Sequence, residues 1–538
     1  MTGLELPEIS AQAAPEFADS ATAKAWLENV PLANVVAAQH QLNAQLEEFN
    51  RFGARAVSRL ATLEALREAV NFVEIEQARR FTNRALPMAE TEAVVFADTL
   101  ALWEQMRVGY LRCLEALRAG EAGIGAQAAL VCQRVLAYTG LKMFHYHRAY
   151  RHVPGREWRA LHQAYARAEE LGVAEEAVKD YLNRDVNDTS PRIAYMRALL
   201  LGMANPNELS QRQLTFVAFL LERWAEKVEV LRKPPEGEEA PPLAVDLASE
   251  LCPERGGPQA AEPRYLEVKR LAKSLRNRIG LLRKGESPAK LALGEDCVQP
   301  SCEQLLVFLY RQWCQARQPR GVERKRVSDQ AQACSDMAAI HYYVSGRVFK
   351  QPGERKELTA AERDQIAAFG RVSTRDEDDY SVVHGFLLEH WTLEDESTQG
   401  LKMMRRAGNP GKRYSHGQLV GVKPADSKSF MLGQVRWLAQ NDAGDLYAGL
   451  RLLPGVPAAS AVRATGLNVT GAKYVQALSL TAVPALNAPP SLVLPAGWYK
   501  PKRVIEVYVE GTGAVRVKLT EMLDRGSDYE RLAYEAAG

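Results

Sequence analysis

The run LEDESTQGLKMM, residues 393–404, holds an acid, a hydroxyl and a glycine at fixed offsets: Asp395, Ser397 and Gly400, or D-x-S-x-x-G. A carboxylate accepts hydrogen bonds and a hydroxyl does both. A residue without Cβ lets the backbone turn or come close to a ligand. Twenty residues before Asp395, RVSTR sets Arg371 and Arg375 four apart. Guanidinium groups are planar, permanently charged forks that grip phosphate oxygens in pairs, where lysine offers only a point charge. Together these side chains suit a polar, anionic ligand. The acid and hydroxyl also suit an ordinary Asx-type turn, with Gly400 supplying a positive φ.

Two textures along the chain would position these residues. Residues 1–232 read as a helical domain: ARAVSRLATLEALREAVNFVEIEQARRF and VVFADTLALWEQMRVGYLRCLEALRAG return apolar side chains every three or four positions, with Gly120 as a stop. WRALHQAYARAEELGVA places Trp158, Leu161, Tyr165 and Ala174 as a tetratricopeptide repeat would, but in a single copy with His162 in the usual glycine place, so a generic helical hairpin is expected. Pro/Gly/Glu-rich stretches make residues 233–264 a linker with one short ordered segment, and residues 265–325 resume the helical pattern. Beyond residue 326, AAIHYYVSGRVF, YSVVHGFLLEHWTLE, GQLVGVK, MLGQVRWLAQ and DLYAGLRLL read as short strands. RVIEVYVEGTGAVRVKL reads as a hairpin turning at EGTG. Many short strands joined by short turns predict small antiparallel barrels. The expected class is multidomain α+β: an all-helical N-terminal half, a small antiparallel β-barrel over 326–456, and further β structure over 457–538 that could form a second barrel.

A chain of 538 residues exceeds what one core can organise, and its 46% apolar and 25% charged content is that of a globular protein. The net charge of +2 supplies no global field for nucleic acid or anionic lipid. Seven cysteines, odd in number and scattered, predict free thiols in a reducing cytoplasm. Cys297 and Cys302 are the closest pair but lack further ligands at a zinc spacing, so no metal is expected. MTGLELPEIS is unlike a signal peptide and no apolar run reaches about 18 residues, so the expectation is a cytoplasmic protein without a transmembrane segment.

R-x-x-x-R, a strand, D-x-S-x-x-G, then GQLVGVK, GQVRW (433–437) and YAGLRLL (447–453) resemble the PilZ domain, a bacterial receptor module for cyclic di-GMP, over about residues 350–456. The resemblance implies a six-stranded barrel whose arginine pair lies on the segment entering it. It also implies cyclic di-GMP as ligand, no cofactor, and Arg371, Arg375, Asp395, Ser397 and Gly400 as the binding residues. Arginine forks fit the two phosphates and the guanine O6/N7 edge, while Asp395 accepts from guanine N1–H and N2–H₂. One feature departs from the pattern: DEDD (376–379) directly follows Arg375. These acids either weaken phosphate binding, with Arg405, Arg406, Lys412 and Arg413 to offset them, or hold the arginines until ligand arrives. RGVER, with Arg320 and Arg324, repeats the arginine spacing without a D-x-S-x-x-G close behind it and is set aside.

FHYHRAYRHVPGREWR (144–159) gathers histidines, but His145 and His147 point about 160° apart on a helix and cannot share a metal. A solvated helix end with core aromatics is expected there. The basic residues Lys269, Arg270, Lys273, Arg276 and Arg283 read as a solvated face, and nucleic acid is not an expected partner. No catalytic motif stands in a suitable context, so the chain is read as non-enzymatic. The expectation is a cyclic di-GMP effector whose helical half engages an unidentified protein partner. The alternative is a helical scaffold or chaperone-like adaptor carrying a barrel that has lost its ligand.

Overall fold

The computed structural model describes residues 6–235, 242–255, 262–294, 296–315, 324–352, 385–465 and 472–537. The chain divides into two compact units, residues 1–84 with 88–319, and residues 85–87 with 320–538.

The first unit is built on α1 (Ser20–Leu27), α2 (Val35–Arg51), α3 (Ala56–Ala78), α4 (Glu90–Arg118), α5 (Ala128–Arg148), α6 (Gly155–Glu170), α7 (Pro191–Met203) and α8 (Gln211–Trp224). Local chemistry sets several boundaries. Ser190 caps α7 through Ile193 N–H, with Pro191 at the first position, and Ser210 and Gln213 form a reciprocal capping box on α8. Gly120, at φ +73°, ends α4. In α6, Trp158, Leu161, His162, Tyr165 and Ala168 form the buried stripe. His162 bonds the Tyr195 hydroxyl at 2.7 Å and the Leu251 carbonyl at 2.9 Å.

Three sequence expectations are corrected in this unit. The C-terminal part of α5 is not a solvated helix end: α4, α6 and α7 pack around α5, and His145 and His147 are 4% and 6% exposed. The 233–264 stretch is more than a linker. β4 (Leu243–Val245), β5 (Glu254–Arg255) and β6 (Arg264–Glu267) pair with β3 (Glu229–Leu231) in a four-stranded sheet, and Leu243, Val245 and Leu266 join the helical core. Finally, Cys297 and Cys302 form a disulfide just before and within α10 (Ser301–Cys314), which follows α9 (Lys269–Arg283). Cys113, Cys132, Cys252, Cys314 and Cys334 are free thiols.

The second unit holds two closed six-stranded antiparallel barrels. The first comprises β7 (Lys325–Ser335), β8 (Glu389–Ser397), β9 (Gly400–Arg405), β10 (Leu419–Pro424), β11 (Met431–Gln440) and β12 (Leu446–Leu452), in the order β10-β11-β12-β9-β8-β7. The second comprises β13 (Pro457–Ala464), β14 (Val475–Leu480), β15 (Ser491–Pro495), β16 (Val504–Val509), β17 (Gly513–Arg525) and β18 (Tyr529–Ala536), in the order β13-β14-β15-β18-β17-β16. The hairpin read at EGTG is β16–β17, closed by the Val509–Gly513 pair.

AAIHYYVSGRVF, expected as a strand, instead contains α11 (Met337–Ser345). Asp336, at φ +73°, breaks away from β7, and Gly346, also at +73°, ends the helix. Ile340 then enters a core shared by Leu419, Leu432 and Leu453 of the first barrel and Leu478, Leu480 and Val493 of the second. Burial between two barrels outweighs the β preference of Ile, Tyr and Val. Inside the first barrel Glu389 is paired with Arg405, whose guanidinium lies 5.3 Å from the Trp391 ring centre and 5.8 Å from that of Tyr414. Arg405 is therefore committed to the barrel interior and is not free to offset the 376–379 acids.

Burial, reinforced by the neighbouring His152, holds His147 down to about 4, from an ordinary value of 6.5. As pH falls below 6.5 the unfolded chain takes up this proton first, so the stability is whole above that value and drains away towards about 4. The urea midpoint of the parent will therefore fall between pH 7 and pH 5, and His147→Phe will fall less over the same interval. Arg405→Ala strands the Glu389 carboxylate in the barrel and will cost about 3–5 kcal/mol in chemical denaturation. The double variant Glu389→Leu/Arg405→Met will recover most of that loss.

Candidate functional site

Asp395 and Ser397 lie at the end of β8, and Gly400 begins β9. Their direction depends on one extra residue. Leu393 opposes Met403, yet Asp395 opposes Lys402, so two steps along β8 meet one along β9 and Glu394 is bulged. Directly opposed residues share a face of the sheet. Leu393 and Met403 are each 1% exposed and face the core. Asp395 is turned to the other face with Lys402, on the outside of the barrel. Ser397 opposes Gly400, and Gly400 opposes Arg451 of β12, so all three share this outer face. A second irregularity, in β7 between Arg326 and Asp329, flanks the same corner.

Arg324, immediately before β7, donates from Nη1 to Asp395 Oδ1 at 2.6 Å. Both side chains are partly buried. The Ser397 hydroxyl donates to the Gly400 carbonyl at 3.2 Å and accepts from Gln399 N–H at 3.4 Å, closing the turn. Gly400 does not have the positive φ of a left-handed turn residue. It is glycine for another reason: a Cβ there would stand 2.7 Å from the Leu450 carbonyl oxygen and 3.9 Å from Arg324 Nη2. Arg451 donates to the Gln434 amide oxygen at 3.1 Å and pairs with Asp524 of the second barrel. Glu394 and Lys402 pair at 2.7 Å beside them.

The structure thus gathers Asp395, Ser397 and Gly400 on one surface. Arg371, Arg375 and the 376–379 acids lie outside the described residues, as does Arg320. Sequence reasoning missed Arg324 and Arg451. The signal for Arg324 was its position: RGVER ends where the first strand of the barrel begins. Arg451 had no such signal, because strand pairing alone brings it to Gly400. Among the described residues no group of three His, Cys, Asp or Glu side chains could hold a metal, and no helix is long and apolar enough to cross a membrane.

Residues 21–236 match the family described as the N-terminal domain of the cyclic-di-GMP receptor FimW, and residues 459–537 match the FimW C-terminal beta-barrel domain. The first barrel lies between the two matched segments. The chain is also 24% identical over 562 residues to the cyclic-di-GMP receptor FimW of Pseudomonas aeruginosa, an alignment that covers 96% of this chain and 90% of that protein. Both ends of the chain are thus similar to domains described for FimW, and the chain aligns almost end to end with a protein of that name.

Proposed function

We propose that this protein is a non-enzymatic, cytoplasmic cyclic di-GMP effector, and that the ligand binds on the outer corner of the first barrel at Asp395, Ser397 and Gly400. Guanidinium forks come from Arg324 beside those expected of Arg371 and Arg375. The single observation that carries this reading is the contact of Arg324 with Asp395, next to a strand that begins in glycine. Asp395 suits the N1–H and N2–H₂ edge of guanine, and the arginines suit the phosphates and O6/N7. The FimW likeness of both ends of the chain supports the same ligand.

In the empty site the carboxylate is occupied by Arg324. A partly exposed ion pair contributes only about 0–1 kcal/mol, so a ligand that offers guanine to Asp395 and phosphate to Arg324 exchanges it at little cost. Arg451 opposes Gly400 and pairs with Asp524, which meets Arg531 at 3.1 Å, giving the corner a polar route into the second barrel. Ligand binding then shifts the population of states in which the helical half presents a surface to a protein partner.

Calorimetry of the full chain with cyclic di-GMP tests the reading. Binding is expected, weakened about 10- to 100-fold in Arg324→Ala and in Asp395→Ala, the usual weight of a hydrogen bond to a charged group. Absence of heat from the folded parent defeats the proposal and leaves the ligand-free scaffold. The variant Arg371→Ala/Arg375→Ala apportions the forks: parent-like affinity there, with loss in Arg324→Ala, assigns the clamp to the segment before β7. Gly400→Ala pushes a Cβ against backbone that cannot turn aside, and will lower stability by about 1–3 kcal/mol in urea denaturation even without ligand.

A further inference from the structure

The helical unit contains a cavity of about 350 Å³, remote in sequence from the barrel site. It is lined from α3, α4, α5, α7, α8 and the 180–184 segment. Its apolar walls include Leu141, Phe144, Phe219 and the Trp103 ring. Five lining residues are arginines, against two carboxylates, Asp180 and Glu222. Most of that charge is already answered. Arg67 meets Asp180 at 2.8 Å, Arg197 meets Asn183 Oδ1 at 2.7 Å and Glu222 at 3.7 Å, and Arg79 meets Glu76 at 2.7 Å.

Two of the arginines are not answered: Arg184, which is exposed, and Arg148, which is partly buried. The Arg148 guanidinium lies 5.3 Å from the Phe144 ring centre and donates to the Thr82 hydroxyl at 3.1 Å, and no carboxylate pairs with it among the described residues. Its Nε–H is buried without an acceptor. Two further lining groups share this condition, Trp103 Nε1–H and His145 Nδ1, and their rings stack at 6.2 Å between centres. Buried polar groups are nearly always satisfied, and an unpaired buried cation is costlier still. Burial and the neighbouring Arg184 bring Arg148 down to about 10, so it stays charged at neutral pH.

We propose that this cavity is a second binding site, for a small organic anion whose phosphate or carboxylate head is held by Arg148 and Trp103 and whose planar or apolar body lies against Phe144 and Phe219. The volume sets the size. Apolar cavities of about 150 Å³ take one benzene ring, and ligand sites begin near about 300 Å³. The space therefore suits a body of about two rings rather than a cyclic dinucleotide. This site stands or falls independently of the barrel corner.

Calorimetry of the full chain with 1-naphthyl phosphate, 1-naphthoate and neutral 1-naphthol tests the assignment. One equivalent of at least one anion will bind, the tighter of the two identifying the preferred head, and 1-naphthol will bind at least tenfold more weakly. Arg148→Gln will lose at least tenfold in anion affinity while unfolding in urea at a midpoint no lower than the parent, because it removes an unpaired, partly buried charge. Asn71→Phe, a change at a partly exposed lining position, obstructs the cavity without altering Arg148, and will also abolish binding in folded protein. The assignment is overturned if neither anion binds, if 1-naphthol binds as tightly, or if either variant, once folded, binds within twofold of the parent.

Discussion

A strand's side chains alternate between faces with a period of two, so one surplus residue reverses every side chain after it. Glu394 is that residue in β8. Before it, Trp391 and Leu393 fill the first barrel; after it, Asp395 and Ser397 stand outside. Without the bulge the Asp395 carboxylate would be directed into an apolar core, at the price of desolvation. With it, the acid meets Arg324 in partial solvent. The candidate site is a consequence of this parity, and so is the uninterrupted core behind it.

That core does not stop at the first barrel. Ile340 of α11 and Cys334 at the end of β7 join Leu432, Leu478 and Val493 in one apolar cluster across both barrels. The Cys334 thiol, pushed up to about 12 by burial and by the Glu389 carboxylate, behaves there as a small apolar group. Polar contacts run alongside: Leu419 N–H donates to Asp528 at 2.9 Å, and Arg531 donates to the Ser491 hydroxyl at 2.9 Å. Packed interiors respond to displacement by switching rather than by bending. Arg451, beside Gly400 and paired with Asp524, therefore abuts a rigid neighbour.

The helical unit handles buried charge differently. Arg134 meets Glu64 at 2.9 Å and Asp180 at 3.2 Å, and Lys142 meets Glu157 at 2.9 Å. Burial opposes the charge on Glu104, but Arg107 and Lys142 outweigh it and hold that carboxyl down to about 2. Such pairing makes buried ions tolerable without making them strongly stabilising. Against this background Arg148 stands apart: its guanidinium is partly buried and has no carboxylate partner among the described residues, whereas Arg67 and Arg197 in the same wall are matched.

The sequence by itself determined the helical texture of the first half, the β texture of the second, the hairpin at EGTG and the acid–hydroxyl–glycine turn. Those features arise from side-chain period and turn chemistry within a few residues. It also carried RGVER, but two arginines at a common spacing acquire meaning only from the strand they precede. Tertiary structure alone decided that 337–345 is helical, that His147 is buried, and that Gly400 is glycine for the sake of the Leu450 carbonyl. It alone brought Arg324 to Asp395, which are 71 residues apart in the chain. The physical reason is the same in each case: burial and strand register are set by partners distant in the chain, and local propensity is too weak to oppose them.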